Sequence, residues 1–333
     1  MELPKLMAAM VLKKKGGPLV YEQVAMPSPS SEQVLIRVIA CGICRTDLHI
    51  IDGELDKPKL PLVPGHEIVG RVAGMGKNVT GFKINDIVGV PWVGYTCGYC
   101  KFCKLGKENL CDNALFTGYT IDGGFAEYTV ANGRFCFLLD AGKPETAPLL
   151  CAGLIGFRSY RMISNAAKNI GIYGFGASAH IITQIAKAQG KNIYAFTRPG
   201  DVQAQLFAKK MGACWVGGSD EIPPLKLDAA IIFAAVGALI PKALNDVDKG
   251  GEVICGGIHM SEIPAFSYDI LWEERVVKSV ANLTRADGVD FFNLLKEISV
   301  HTQTKIFSLQ QANQAILKLR KGEISGAAVL VMD

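Results

Sequence analysis

Ten cysteines occur in the 333-residue chain, and six of them fall into two tight groups. Cys97, Cys100 and Cys103 are spaced by two residues each, and Cys111 follows after seven more. Two-residue spacings let successive sulfurs converge on one ion, and four thiolates complete a closed tetrahedral zinc shell. A closed shell leaves no position for substrate, so this run predicts a structural zinc that staples its lobe. The competing reading is four buried or disulfide-forming cysteines. Against it stands the distribution, because loop-closing disulfides would be spread more evenly, whereas Cys136, Cys151, Cys214 and Cys255 stand alone. In a cytosolic chain this count points to metal or catalysis.

A catalytic zinc needs about three protein ligands and one open position. The candidates are Cys44 in Cys41-Gly-Ile-Cys44-Arg45-Thr46-Asp47-Leu48-His49, His66 in Pro64-Gly65-His66-Glu67, and Cys151 in Leu150-Cys151-Ala152-Gly153. Each has a plain structural explanation, since single cysteines are commonly buried small hydrophobes and a lone histidine is often structural. Spacing alone leaves both readings open.

A third constellation suits a dinucleotide. Ile170-Gly-Ile-Tyr-Gly174-Phe-Gly176-Ala-Ser-Ala179-His180 reads strand, glycine turn, helix. Gly174 makes the tight turn, Gly176 lets backbone approach a pyrophosphate at the helix N-terminus, and Ala179 takes the third, small position. The apolar face Ile181, Ile182, Ile185, Ala186 supplies the helix this motif requires. The next strand ends Ala195-Phe196-Thr197-Arg198-Pro199-Gly200. An NAD-specific fold places Asp or Glu here, roughly twenty residues past the turn, for the ribose 2′-hydroxyl. Thr197 followed by Arg198 instead suits a 2′-phosphate, which a guanidinium grips bidentately, so NADP(H) is expected over NAD(H). The bland alternative makes Arg198 a solvated loop charge.

These groups must be carried by two kinds of architecture. The first 145 or so residues are rich in Gly, Pro and β-branched runs, such as Gln33 to Ile39, Ile68 to Val72 and Asp86 to Val90, as in a β-barrel or sandwich-like domain. After Pro148, strands at Asn169–Tyr173, Asn192–Phe196, Asp228–Ala234 and Glu252–Cys255 alternate with helical patterns such as Val202–Met211, as in βαβ units with a parallel sheet. The tail holds a helix from about Gly288, an amphipathic helix Leu309–Leu319 and a strand Ala327–Met332.

Bulk properties exclude some classes. The net charge is +4, and no basic run exceeds Lys13-Lys14-Lys15, which reads as a solvated turn, so no nucleic-acid partner is expected. The most apolar stretch, Ala229–Ile240, is too short to span a bilayer. The N-terminus lacks the apolar core of a secretory signal, and a cytoplasmic enzyme is the expectation.

Taken in order, Gly-Ile-Cys-Arg-Thr-Asp-Leu-His, Pro-Gly-His-Glu, the four-cysteine lobe, Gly123-Gly-Phe-Ala-Glu-Tyr128, Cys151-Ala-Gly and the Gly174 turn resemble the zinc-containing medium-chain alcohol dehydrogenases over nearly the whole chain. The resemblance implies an α/β protein with a GroES-like β-rich catalytic domain at 1–145, a Rossmann domain at 146–285 and a return to the catalytic domain at 286–333. It selects Cys44 over Cys41 and groups it with His66 and Cys151 on a catalytic zinc. Glu67 is implied as an occasional alternative ligand, and Asp47 as the carboxylate that orients the ligating imidazole. Zinc would act as a Lewis acid on the alcohol oxygen or the aldehyde carbonyl. Thr46 would take the hydroxyl proton and pass it by way of the cofactor ribose towards His49. Trp92 falls where the family places an aromatic wall of the substrate pocket, and a core tryptophan is the alternative. The family's arginine before the last strand is replaced by glycine near Gly326, which leaves Arg45 as a pyrophosphate partner. A homo-oligomer, dimer or tetramer, acting on a small alcohol or aldehyde is implied. The rivals are an NAD-dependent alcohol dehydrogenase, a zinc-independent quinone or enone reductase of the same fold, and a non-catalytic zinc- and nucleotide-binding redox sensor.

Overall fold

The computed structural model describes residues 3–332. The chain forms two compact units: one holds the residues through Cys151 with Leu283–Phe292 and the chain from Thr302 onward, the other Ala152–Asn282 with Asn293–His301.

The first unit is built on a seven-stranded sheet. Its central strand, Gln33–Ile43, runs four residues further than its β-branched core suggests, and all but three of its residues are buried. It pairs antiparallel with Glu67–Met75, placing Gly42 opposite Glu67 and Cys41 opposite Ile68. Cys44 therefore follows the end of one strand at the level where His66 precedes its neighbour. The helix Arg45–Asp52 starts there because Cys44 caps it: its sulfur accepts from the Thr46 amide at 3.2 Å, and the Asp47 carboxylate accepts from the Cys44 amide at 2.8 Å. This is a capping box with a thiol in the usual hydroxyl position. A left-handed Gly53 ends the helix. The 3-10 segment Pro144–Leu150 packs on the same sheet and delivers Cys151 at its end.

The second unit carries a six-stranded sheet of parallel strands: Trp215–Gly218, Asn192–Thr197, Asn169–Tyr173, Leu227–Ile232, Val247–Cys255 and Val276–Ser279 in spatial order. In chain order this is 3-2-1-4-5-6, the doubly wound arrangement whose strand order reverses beside the first strand. The first strand is buried from Ile170 to Tyr173, as expected of a strand covered on both faces.

Some boundaries shift for local reasons. The strand expected to reach Ala234 stops at Ile232, because the Phe233 and Ala234 amides both turn to the Tyr173 carbonyl. The tail helix begins at Arg285, capped by reciprocal Thr284–Asp287 bonds of 2.9 and 3.1 Å. The Leu309 helix opens as a 3-10 turn, Leu309–Gln311, under a Ser308–Gln311 capping box, before the α-helix Ala312–Arg320. Lys13–Lys15 is an exposed turn. Among the described residues no helix is long and apolar enough to cross a membrane.

Candidate metal centres and dinucleotide turn

Among the described residues, two groups of side chains gather as metal ligands would, each with its donor atoms within 4.8 Å of one another: Cys97, Cys100, Cys103, Cys111 and Cys44, His66, Glu67, Cys151. The ten cysteines are all free thiols. In the lobe, Cys97 Sγ and Cys103 Sγ are 3.9 Å apart. A disulfide would hold them at about 2.05 Å, whereas tetrahedral thiolates at about 2.3 Å from zinc lie about 3.8 Å apart. Amides of Cys97, Cys100 and Cys103 point at Cys111, Cys97 and Cys100 sulfurs at 3.4–3.5 Å, bonds that favour thiolates. This lobe joins helix Arg285–Leu294 through Glu108, whose carboxylate accepts from the Arg285 amide at 2.9 Å and its Nε at 3.2 Å.

In the second group Cys44 Sγ lies 3.1 Å from His66 Nε2 and 4.0 Å from Cys151 Sγ. The other imidazole nitrogen, Nδ1, approaches Asp47 Oδ1 at 3.2 Å, with both side chains fully buried. That approach misses good hydrogen-bond alignment, so it is a close charge contact. It still assigns the two nitrogens opposite partners, with Nε2 facing the thiols. Glu67 is buried, and its Oε2 has no hydrogen-bond partner. A Cβ at residue 42 would stand 1.8 Å from that oxygen, so any larger residue there would displace the Glu67 carboxylate.

The charges explain what the cluster asks for. The contact with Cys151, then His66 and Thr46, hold the Cys44 thiol well below its ordinary range against the opposing effect of burial. Its bond to Cys44, and then burial, push the Cys151 thiol well up. Burial, and then Cys44, raises the Glu67 carboxyl. Burial acts to lower His66, but Asp47 and Cys44 outweigh it and its pKa is raised. Several anion-forming donors confined out of water resist ionising together. A divalent cation relieves that conflict, and soft sulfur with imidazole nitrogen is a donor set zinc accepts. Both clusters fit zinc on their own geometry.

Cys41 stays outside this set: fully buried, it bonds the Gly42 carbonyl at 3.6 Å. Trp92 is 4 % exposed and meets His66 edge-on at 5.0 Å, while Phe116 and Tyr119 stack on it at 5.2 and 5.6 Å. Thr46 and His49 sit three residues apart on one helix face, half-buried. His49 Nδ1 meets the Glu54 carboxylate in a short contact. The sequence reading overlooked Glu54. Its signal was Gly53, since the left-handed cap folds the next residue back so that the Glu54 amide bonds the His49 carbonyl at 2.9 Å. Arg45 is exposed on the first turn of that helix.

In the second unit Gly174 has φ +90°, and a Cβ there would lie 2.8 Å from the Ala234 amide, so the turn admits glycine alone. Gly176 caps helix Ala177–Ala188 with no side-chain bond, and a Cβ on it would meet nothing within 4 Å. Open amides facing open space at a twelve-residue helix are what a pyrophosphate requires. Ala179 is fully buried. Thr197 is 3 % exposed and its hydroxyl donates to the Arg198 and Gly217 carbonyls at 3.1 and 3.3 Å, whereas Arg198 is exposed. Gly326 has φ +86°, and a Cβ there would stand 2.1 Å from the Gln303 carbonyl oxygen, so the position rejects the arginine.

A GroES-like β-unit with two zinc-type clusters and a doubly wound parallel sheet define a medium-chain dehydrogenase/reductase. The model of the alcohol dehydrogenase GroES-like domain matches residues 30–141. A Mycobacterium tuberculosis protein named probable alcohol dehydrogenase AdhA is 42% identical over 325 residues, spanning 95% of this chain and 93% of its own. An alcohol dehydrogenase of Geobacillus stearothermophilus is 34% identical, spanning 98% of this chain and 100% of its own. The cobalt- and zinc-bound thermostable alcohol dehydrogenase of Pyrobaculum aerophilum superposes with a TM-score of 0.89 at 25% identity, covering 98% of this chain and 99% of the other. The chain belongs to the zinc-containing medium-chain alcohol dehydrogenase family.

Proposed function

We propose that the protein is a zinc-dependent alcohol dehydrogenase/aldehyde reductase that moves hydride between a small primary or secondary alcohol, or the corresponding aldehyde, and NADP(H). The observation that carries this is the buried Cys44–His66–Cys151 cluster with Asp47 behind the imidazole. Cys44, His66 and Cys151 would hold a catalytic zinc, and Cys97, Cys100, Cys103 and Cys111 a structural one. The catalytic zinc, when bound, supplies Lewis acidity that lowers the pKa of an alcohol hydroxyl and polarises an aldehyde carbonyl. A quinone or enone reductase working without zinc has no use for either cluster, and the Thr46-to-His49 face disfavours a silent redox sensor.

The chain's own groups divide the remaining work. Asp47 keeps the His66 ring oriented. Thr46 accepts the substrate proton and His49 hands it on, with Glu54 fixing the imidazole by its Nδ1 contact. Trp92 backs the His66 ring as an aromatic wall. The portion at 146–285 binds the dinucleotide: Gly174, Gly176 and Ala179 shape the pyrophosphate turn, and Arg198 holds the 2′-phosphate. Thr197, with its hydroxyl turned inward, shapes that strand end.

Metal analysis with turnover tests the whole reading: about two zincs per chain, with hydride transfer to NADP, are expected. Arg198→Ala is expected to lower kcat/KM for NADPH about tenfold or more, the worth of a charged hydrogen bond, with NADH nearly unaffected. An unchanged preference would remove Arg198 from the site. His49→Gln should slow alcohol oxidation about 10- to 100-fold, the low end of general acid–base catalysis, and a wild-type kcat in that variant would end the relay.

A further inference from the structure

The strand end that carries Arg198 has a neighbour of opposite charge. Thr197 pairs with Gly218 across the two parallel strands, and the Ser219 amide donates to the Thr197 carbonyl at 2.8 Å. The turn that follows brings Asp220 and Glu221, both exposed, to the same carboxyl edge of the sheet. Neither side chain points away. Glu221 Oε1 accepts from the Gly218 amide at 2.5 Å. A Cβ on Gly218 would lie 2.4 Å from Asp220 Oδ1, 3.3 Å from Glu221 Oε1 and 3.4 Å from Pro199 Cα. Both carboxylates are therefore within about 7 Å of the backbone immediately after Arg198, a limit set by those distances.

We infer that Asp220 and Glu221 are specificity-determining residues that oppose Arg198 and narrow the preference for a 2′-phosphorylated dinucleotide. The inference rests on the reading of Arg198 as the 2′-phosphate partner. A dianionic phosphate seated there meets one guanidinium and two carboxylates, one of them held on the Gly218 amide, whereas a 2′-hydroxyl meets them without repulsion. At a separation of about 7 Å, through water and salt, two carboxylates weigh about fivefold against a dianion. The second strand ends on Thr197-Arg198, the nearby Asp201 carboxylate caps the next helix at the Ala204 amide, and the turn after the third strand brings two further acidic groups to the same edge.

The test is equilibrium binding by titration calorimetry with adenosine 2′,5′-bisphosphate and AMP, on wild type, Asp220→Asn/Glu221→Gln and Arg198→Ala. Gln keeps the acceptor for the Gly218 amide, so the turn is preserved while the charge is lost. The double variant should bind the bisphosphate about fivefold tighter with AMP unchanged, and the gain should shrink as salt rises from low to high. NADPH and NADH turnover should shift by the same ratio. An unchanged bisphosphate affinity, or an equal gain for AMP, overturns the inference. Arg198→Ala reports separately on the reading beneath it: if that variant binds bisphosphate as wild type does, Arg198 is misassigned, whatever the carboxylates do.

Discussion

His66→Ala is expected to remove one zinc per chain and to lower kcat for alcohol oxidation by about a thousandfold or more. The magnitude follows from the several kcal/mol of charge stabilisation that a Lewis-acid metal supplies, each 1.36 kcal/mol being tenfold in rate. The geometry makes His66 the least replaceable donor. Its Nε2 faces Cys44 at 3.1 Å while Nδ1 meets Asp47, so the ring joins the cluster to the carboxylate behind it. Alanine there leaves Asp47 buried with no imidazole beside it, and two sulfurs without their nitrogen. Zinc content by atomic absorption should fall from about two to about one per chain, with the far-ultraviolet spectrum and adenine-nucleotide binding kept. Cys41→Ala is the control, because that thiol is as buried but stands outside the donor group and bonds its neighbour's carbonyl. It should keep both zincs. Wild-type turnover in His66→Ala would refute the catalytic assignment.

What could be read in advance depended on whether the signal was local. The cysteine lobe was legible because all four donors lie within fifteen residues, so spacing alone implies convergence. The dinucleotide turn was legible for the same reason, strand, glycines and helix being consecutive. The second cluster was not, for Cys44, His66 and Cys151 meet only through the antiparallel register that sets Gly42 against Glu67 and through the 3-10 segment ending at Leu150. No local pattern encodes that register, and family resemblance stood in for it. Glu54 and the Asp220–Glu221 turn escaped notice because each acts after a chain reversal, at Gly53 and after Gly218. Thr197 shows the converse limit: the sequence places it at the end of the second parallel strand, but only the structure reveals a hydroxyl turned to the Gly217 carbonyl.

The lobe calls for a prediction of stability, not of rate. Cys103→Ala should lose one zinc, melt earlier and become sensitive to trypsin, yet leave the other cluster loaded. Between Cys97 and Cys111 regular structure amounts to a four-residue helix and a three-residue 3-10 turn. Tyr99 and Leu105 are 69% and 70% exposed, so no apolar core holds the segment. A tie outside the shell is the Glu108 carboxylate on Arg285. Closing a loop of about fifteen residues is worth about 3 kcal/mol in chain entropy, and a four-ligand shell closes more than one. For a unit of this size 1 kcal/mol moves Tm by about 2–4 °C, so a fall of about 6–12 °C is expected by calorimetry. Cleavage should map to Lys101, Lys104 and Lys107, which are exposed around the missing ligand. Because the metal-facing donors of the other cluster share no atom with the lobe, kcat measured below the melting range should stay within a few-fold of wild type. A variant that keeps two zincs and an unchanged Tm would show that Cys103 is no ligand. One that loses its turnover along with its lobe, at a temperature where it remains folded, would show that the staple also holds the reacting cluster in place.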